Sequence, residues 1–199
     1  KYKFSSENST FPKGFVNKMI KKITKYIMPD TIQSICSSFQ CSDDMITVAN
    51  YINLKQYYDV NNTLQTIPET CGELSDNSSA GPTRDLRQKP EVAASGGAIF
   101  TCLVISSQAS LITSNPTAVA QGSFHVASGG TSASSPVVAG LATLFMQAHP
   151  AFTNKQIRQA IMNCTYSDAF TGSSLPNYKW GYGKLDGFAT FTCALVAGV

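Results

Sequence analysis

Residues 133–147 constrain this chain more than any other stretch of its 199 residues. Val137-Val138-Ala139-Gly140-Leu141-Ala142-Thr143-Leu144-Phe145 is apolar on nearly all sides. The pattern predicts a long helix that belongs in the middle of a fold, not on its surface. Pro136 is tolerated in its first turn, and His149-Pro150 ends it. Immediately ahead lies Gly129-Gly130-Thr131-Ser132. A serine between a glycine turn and a helix start presents one hydroxyl where unpaired backbone N–H groups attract developing negative charge. An acyl-transfer nucleophile needs that setting, and Ser132 is the candidate. Ser134 and Ser135 read as residues of the helix's first turn.

The length suits one domain with a sizeable core. A net charge of +3 is too small to make nucleic acid or an anionic membrane the main partner. No run reaches the length of a membrane span, and Lys1-Tyr2-Lys3-Phe4 does not open a signal peptide. Six cysteines (Cys36, Cys41, Cys71, Cys102, Cys164 and Cys193) form no CxxC pair, and His125 and His149 are too few for most His-containing metal sites. A structural zinc site is therefore not expected. Disulfides and buried free thiols both stay open, with Cys36–Cys41 the only pair close in sequence.

Along the chain, residues 13–27 place Phe15, Val16, Met19, Ile20, Ile23 and Ile27 at spacings of three and four, with lysines filling the other side. This predicts a basic amphipathic helix stopped by Met28-Pro29, read as a solvated lysine face over a core-facing stripe. Residues 45–49 read as a buried strand, 53–80 as loop or irregular strand, 98–105 as another strand, and 106–130 as loop-like. Thr153 is a plausible N-cap with Gln156 at the capping-box position. Ile157, Ala160 and Ile161 form that helix's buried stripe, while Lys155, Arg158 and Gln159 are expected to face water. The chain divides into a poorly assigned segment, 1–29, and a second portion, 30–199.

Four stretches resemble the subtilisin-like serine proteases, in the family's order. Gly130-Thr131-Ser132-Ala133-Ser134-Ser135-Pro136 meets every fixed position of that family's nucleophile motif. Gly81 to Ala94, with Gly81-Pro82-Thr83, Asp85 and Lys89-Pro90-Glu91, is similar to the preceding loop and strand. Residues 153–163 resemble the helix after the nucleophile helix, and Trp180-Gly181-Tyr182-Gly183-Lys184-Leu185-Asp186 the closing segment. The resemblance implies a three-layer α/β/α fold with a parallel sheet, helices on both faces and a buried central helix after the nucleophile, incomplete at its N-terminal side. It implies peptide cleavage through Ser132, with Ser128, Gly129, Gly130 and Thr131 lining an extended substrate. Ala80 stands where the family usually has arginine, and Ser95 where proline is common.

A serine peptidase also needs a base, a carboxylate to orient it and oxyanion donors. In the family these come from Asp-(Ser/Thr)-Gly, His-Gly-Thr-His and a Gly-Asn, and the chain contains none of the three. His149 lies roughly 25 Å from Ser132 along a helix. His125 reads as a structural or cleft residue, Asp85 as a brace for the loop of Arg84 and Arg87, and Asp186 as a structural hydrogen-bonding residue. The expectation is the C-terminal portion of a subtilisin-like endopeptidase domain, inactive alone. The alternatives are a pseudoprotease or peptide-binding, complementing subunit, and a sedolisin-type acid peptidase. No cofactor is required, and structural calcium is left open without an assignable site. Expected partners are a peptide or protein substrate and the other half of the protease domain. The full protein is expected to be secreted or periplasmic.

Overall fold

The computed structural model describes residues 36–37 and 39–196, all within one compact unit, Ser34–Val199. The basic helix expected at 13–27 lies outside the described residues. The elements in chain order are β1 (Val48–Ile52), β2 (Gln56–Tyr58), β3 (Leu64–Thr66), β4 (Val92–Gly97), β5 (Ile99–Cys102), α1 (Ile105–Ser114), β6 (His125–Ser128), α2 (Thr131–Ala148), α3 (Asn154–Asn163) and α4 (Gly187–Val196). The chain is thus mixed α/β with a parallel pair of strands at its centre.

β1 and β4 pair in parallel, with Val48 opposite Val92 and Ala49 opposite Ala93. Strand side chains alternate between faces, which splits these residues into two cores. Val48, Val92 and Ala94 pack with Val138, Leu141 and Phe145 of α2 and with Ile157, Ala160 and Ile161 of α3. Ala49 and Ala93 pack on the other face against Trp180, with Tyr51, Leu74 and Leu175 around them. Among the described residues, helices therefore cover one face of the pair, and Trp180 with its flanking loop covers the other. β2–β3 and β5–β6 are separate antiparallel pairs.

Three sequence expectations shift. The first strand runs 48–52 and not 45–49, because Asn50 and Ile52 find partners in residues 72–78. Strand 98–105 stops at Cys102, its last residue Ile105 instead starting α1, and residues 106–130, expected as loop, contain the rest of α1, a 3-10 turn at Pro116–Ala118 and β6. Arg158, expected to face water, instead reaches Glu91 with a 2.6 Å ion pair. The capping box is present as read, Thr153 accepting from the Gln156 N–H and donating its own N–H to Gln156 Oε1.

α2 departs from its expected burial. Ser134, Val138, Leu141 and Phe145 are buried, but Val137, Leu144 and Met146 on other faces are exposed, Leu144 by 56%. No charged residue breaks that outer surface. Substitutions should separate the faces. Leu141→Ala is expected to cost about 2–5 kcal/mol, whereas Leu144→Lys should stay within about 0.5 kcal/mol, both read from urea denaturation.

A buried ion cluster ties the entry of β1 to β4. Lys89 and Glu91, each 1% exposed, pair at 2.6 Å. Lys89 also donates to the Ser42 and Met45 carbonyls, and Glu91 accepts from the Thr47 N–H at 2.7 Å. Lys89 and Arg158 share the one carboxylate of Glu91, so removing that carboxylate strands buried positive charge away from water. Glu91→Gln is expected to destabilise by about 3–5 kcal/mol in chemical denaturation. At the opposite end Lys184, 1% exposed, donates to Gly72 O and Asp168, with the rings of Tyr51, Trp180 and Phe170 around its ammonium. Burial alone would raise the Asp168 carboxyl, but Lys184 and the Thr171 and Phe170 N–H groups hold it below its ordinary value.

Candidate functional site

Ser132 stands exposed in the first turn of α2, and the turn before it explains why. Gly130 caps the helix with φ +108°, in the left-handed region that favours glycine. Its N–H donates to the Gly96 carbonyl at 2.8 Å, and its own carbonyl accepts from the Ala133 N–H at 2.9 Å. The turn is thereby pinned to the end of β4. Gly96 allows the contact, since a Cβ there would overlap Ser134 Oγ and crowd the Ser134 N–H. Gly96→Ala is expected to lower stability by about 1–3 kcal/mol, seen as a drop in thermal midpoint, and to shift the backbone resonances of residues 130–134.

Ser132 opens onto a groove of about 400 Å³. β5 supplies Ile99 and Thr101 as one wall, and the end of β6 supplies Ser128 and Gly129. The helix side consists of Ala133, Pro136 and Val137 with Ser132 itself. Of the residues expected from sequence, Ser128, Gly129 and Ser132 meet here, while Gly130 and Thr131 form the turn between them. The walls Ile99, Thr101, Pro136 and Val137 were not anticipated. Strand 98–105 was legible, but its pairing with 125–128 was not, so nothing in the sequence placed it beside the serine.

Neither histidine engages Ser132. His125 begins β6 opposite Cys102 and is no part of the groove wall. It stands three residues from Ser128, an odd spacing that sends the two side chains to opposite faces. His149 caps the far end of α2, stacked between Phe145 at 4.6 Å and Phe152 at 5.0 Å. The carboxylates singled out from the sequence are engaged elsewhere. Asp85 accepts from Arg87 Nε and Thr83 Oγ1, which hold its carboxyl down to about 2. It braces the loop through Arg87, as the sequence suggested. Asp186 accepts from the Ala189 N–H at the start of α4, and Glu91 belongs to the buried cluster. Among the described residues no carboxylate hydrogen-bonds to either histidine, and no group of three or more His, Cys, Asp or Glu stands together to hold a metal. Cys36, Cys41, Cys71 and Cys102 are free thiols, Cys71 and Cys102 exposed, whereas Cys164 is disulfide-bonded.

With this geometry in view, the sequence model of the Subtilase family matches residues 20–183. The chain belongs to the subtilase family. An uncharacterized protein of Aquifex aeolicus (strain VF5) is 35% identical over 89 residues, which is 45% of this chain and 38% of that protein. Among solved structures, the Pseudoalteromonas arctica PAMC 21717 protease aligns with a TM-score of 0.50 and 22% identity over 79% of this chain. The CspB protease of Clostridium perfringens aligns with a TM-score of 0.50 and 20% identity over 77% of it. At such identities the likeness is one of fold. This subtilase chain spans 38% of the first protease chain and 27% of the second.

Proposed function

We propose that the chain is the C-terminal portion of a subtilisin-like serine endopeptidase domain in which Ser132 is the nucleophile. The observation that carries the reading is Ser132 itself. It is an exposed hydroxyl at the N-terminus of a helix, at the mouth of a groove, within a motif of a family whose model matches this chain. In the intact enzyme Ser132 Oγ attacks the peptide carbonyl, its proton passes to a base, and the amine leaves with that proton. Water then hydrolyses the acyl-enzyme. Ser128 and Gly129 at the end of β6 line the substrate's path, with Gly130 and Thr131 shaping the turn beneath it.

The base and its orienting carboxylate come from polypeptide outside the described residues, supplied by a longer chain or by a second one. Two observations support this: both histidines sit away from Ser132, and the exposed side of α2 is apolar. A secreted or periplasmic setting suits the family and the low charge. Among the described residues no helix is long and apolar enough to cross a membrane.

Fluorophosphonate labelling followed by intact mass, with Ser132→Ala as control, tests the reading. The isolated chain at neutral pH is expected to stay unlabelled, because a nucleophile without its base loses several orders of magnitude in rate. Labelling that disappears in Ser132→Ala would place a working base within this chain and overturn the incomplete-site reading, with His125 the first residue to replace.

A further inference from the structure

The β5–β6 ribbon brings a thiol and an imidazole together at the end farther from Ser132. Cys102 and His125 stand directly opposite each other in its antiparallel register. The next rung carries a hydrogen bond, Leu103 N–H donating to the Phe124 carbonyl at 2.8 Å. The His125 carbonyl turns to the other side and accepts from the Ala120 N–H at 2.9 Å. Cys102 and His125 are therefore a non-hydrogen-bonded pair, the kind of rung at which side chains come closest. Such a pair holds its Cβ atoms about 4.5–5.5 Å apart on one face of the ribbon.

That face is not the groove. Side chains alternate along a strand, so Ile99, Thr101 and Ser128 line the groove while Phe100, Cys102 and His125 point the other way. One rung back, Tyr57 lies edge-on against Phe100, ring centroids 5.1 Å apart, with its hydroxyl donating to the Thr117 carbonyl. The Cys102 rung is open: both of its residues are exposed, and Cys102 is a free thiol. Among the described residues neither side chain has a hydrogen-bond partner, so both can turn toward each other. A thiol becomes a nucleophile by losing its proton, and an imidazole within reach is an effective acceptor. Cys71 supplies the contrast. It too is exposed and free, but His125 faces Cys102 and His149 is stacked between Phe145 and Phe152.

We propose that Cys102 is a site of S-thiolation by small disulfides, with His125 accepting the thiol proton. In the step, Cys102 Sγ gives its proton to the His125 ring and attacks one sulfur of the disulfide. The new S–S bond forms as the old one breaks. The departing thiolate leaves with that bond's electron pair and takes up the proton. The Cys102 sulfur is oxidised and the departing sulfur reduced, so the disulfide is itself the oxidant. Val104 and Phe124 beside the rung are uncharged and exposed by 66% and 67%, a setting that suits an uncharged disulfide.

The test treats the full chain with 2-hydroxyethyl disulfide at neutral pH and follows each cysteine by peptide mass mapping. Cys102 is expected to form the mixed disulfide at least about tenfold faster than Cys71. His125→Gln should bring Cys102 down to the Cys71 rate with the thermal midpoint unchanged, since His125 is exposed. A second measurement needs no variant: in concentrated urea, where the strand register is lost, the two thiols of the parent chain should react alike. If Cys102 has no lead over Cys71, or keeps it in His125→Gln or in urea, His125 takes no part and the inference is overturned. The reading of Ser132 as nucleophile stands apart from each of these results.

Discussion

Parallel strands have no tight turn to join them, so what lies on their two faces and at their ends must hold β1 and β4 together. Here the faces are filled unequally. On one side Val48, Val92 and Ala94 meet two helices, with fully buried Phe145 and Ile161 as the largest apolar groups. On the other, Ala49 and Ala93 are small enough for the indole of Trp180 to lie against them. The ends are closed by buried lysines whose ammonium groups are hydrogen-bonded, Lys89 to Glu91 and two carbonyls, Lys184 to Asp168 and a carbonyl with three rings around it. A packed interior tolerates an ammonium only when its donors and charge are met, which makes these clamps specific to one register.

The candidate site inherits its geometry from that pair. β4 ends in Gly96, whose carbonyl receives the Gly130 N–H and whose missing side chain admits Ser134. β1 contributes Asn50, which meets Ser134 from the neighbouring strand. The nucleophile turn is therefore fixed from below by two strands, while Ser132 points into open groove. Rigid backing with an exposed reactive group is what acyl transfer demands, because a small misplacement of the attacking atom costs rate steeply. The same helix leaves Val137 and Leu144 uncovered, and Val137 also walls the groove. Any polypeptide covering that side would stand next to Ser132.

Signals written within a few residues were legible. The Thr153–Gln156 capping box, the Asp85–Arg87 brace, the stripe of Ile157, Ala160 and Ile161, and the glycine turn before Ser132 all depend on neighbours close in the chain. α1 was not legible because it has little to show: none of its residues is buried, so no apolar stripe marks it. β6 was hidden for a related reason, since His125-Val126-Ala127-Ser128 is a short strand whose identity comes from pairing with β5. Arg158 looked like a solvent-facing helix residue until Glu91, 67 positions earlier, was brought within 2.6 Å.

By itself the sequence determined the helix that carries Ser132, the glycine that caps it and the family to which both belong, because each is set by local backbone preference or by a contiguous motif. Only the tertiary structure decided which side of that helix is buried, which strands wall the groove and which side chains back the turn. Asn50, Gly96 and Ser134 are scattered across 85 positions. Their hydrogen bonds exist only once β1 and β4 pair, and no local pattern records a contact that the pairing of distant strands creates.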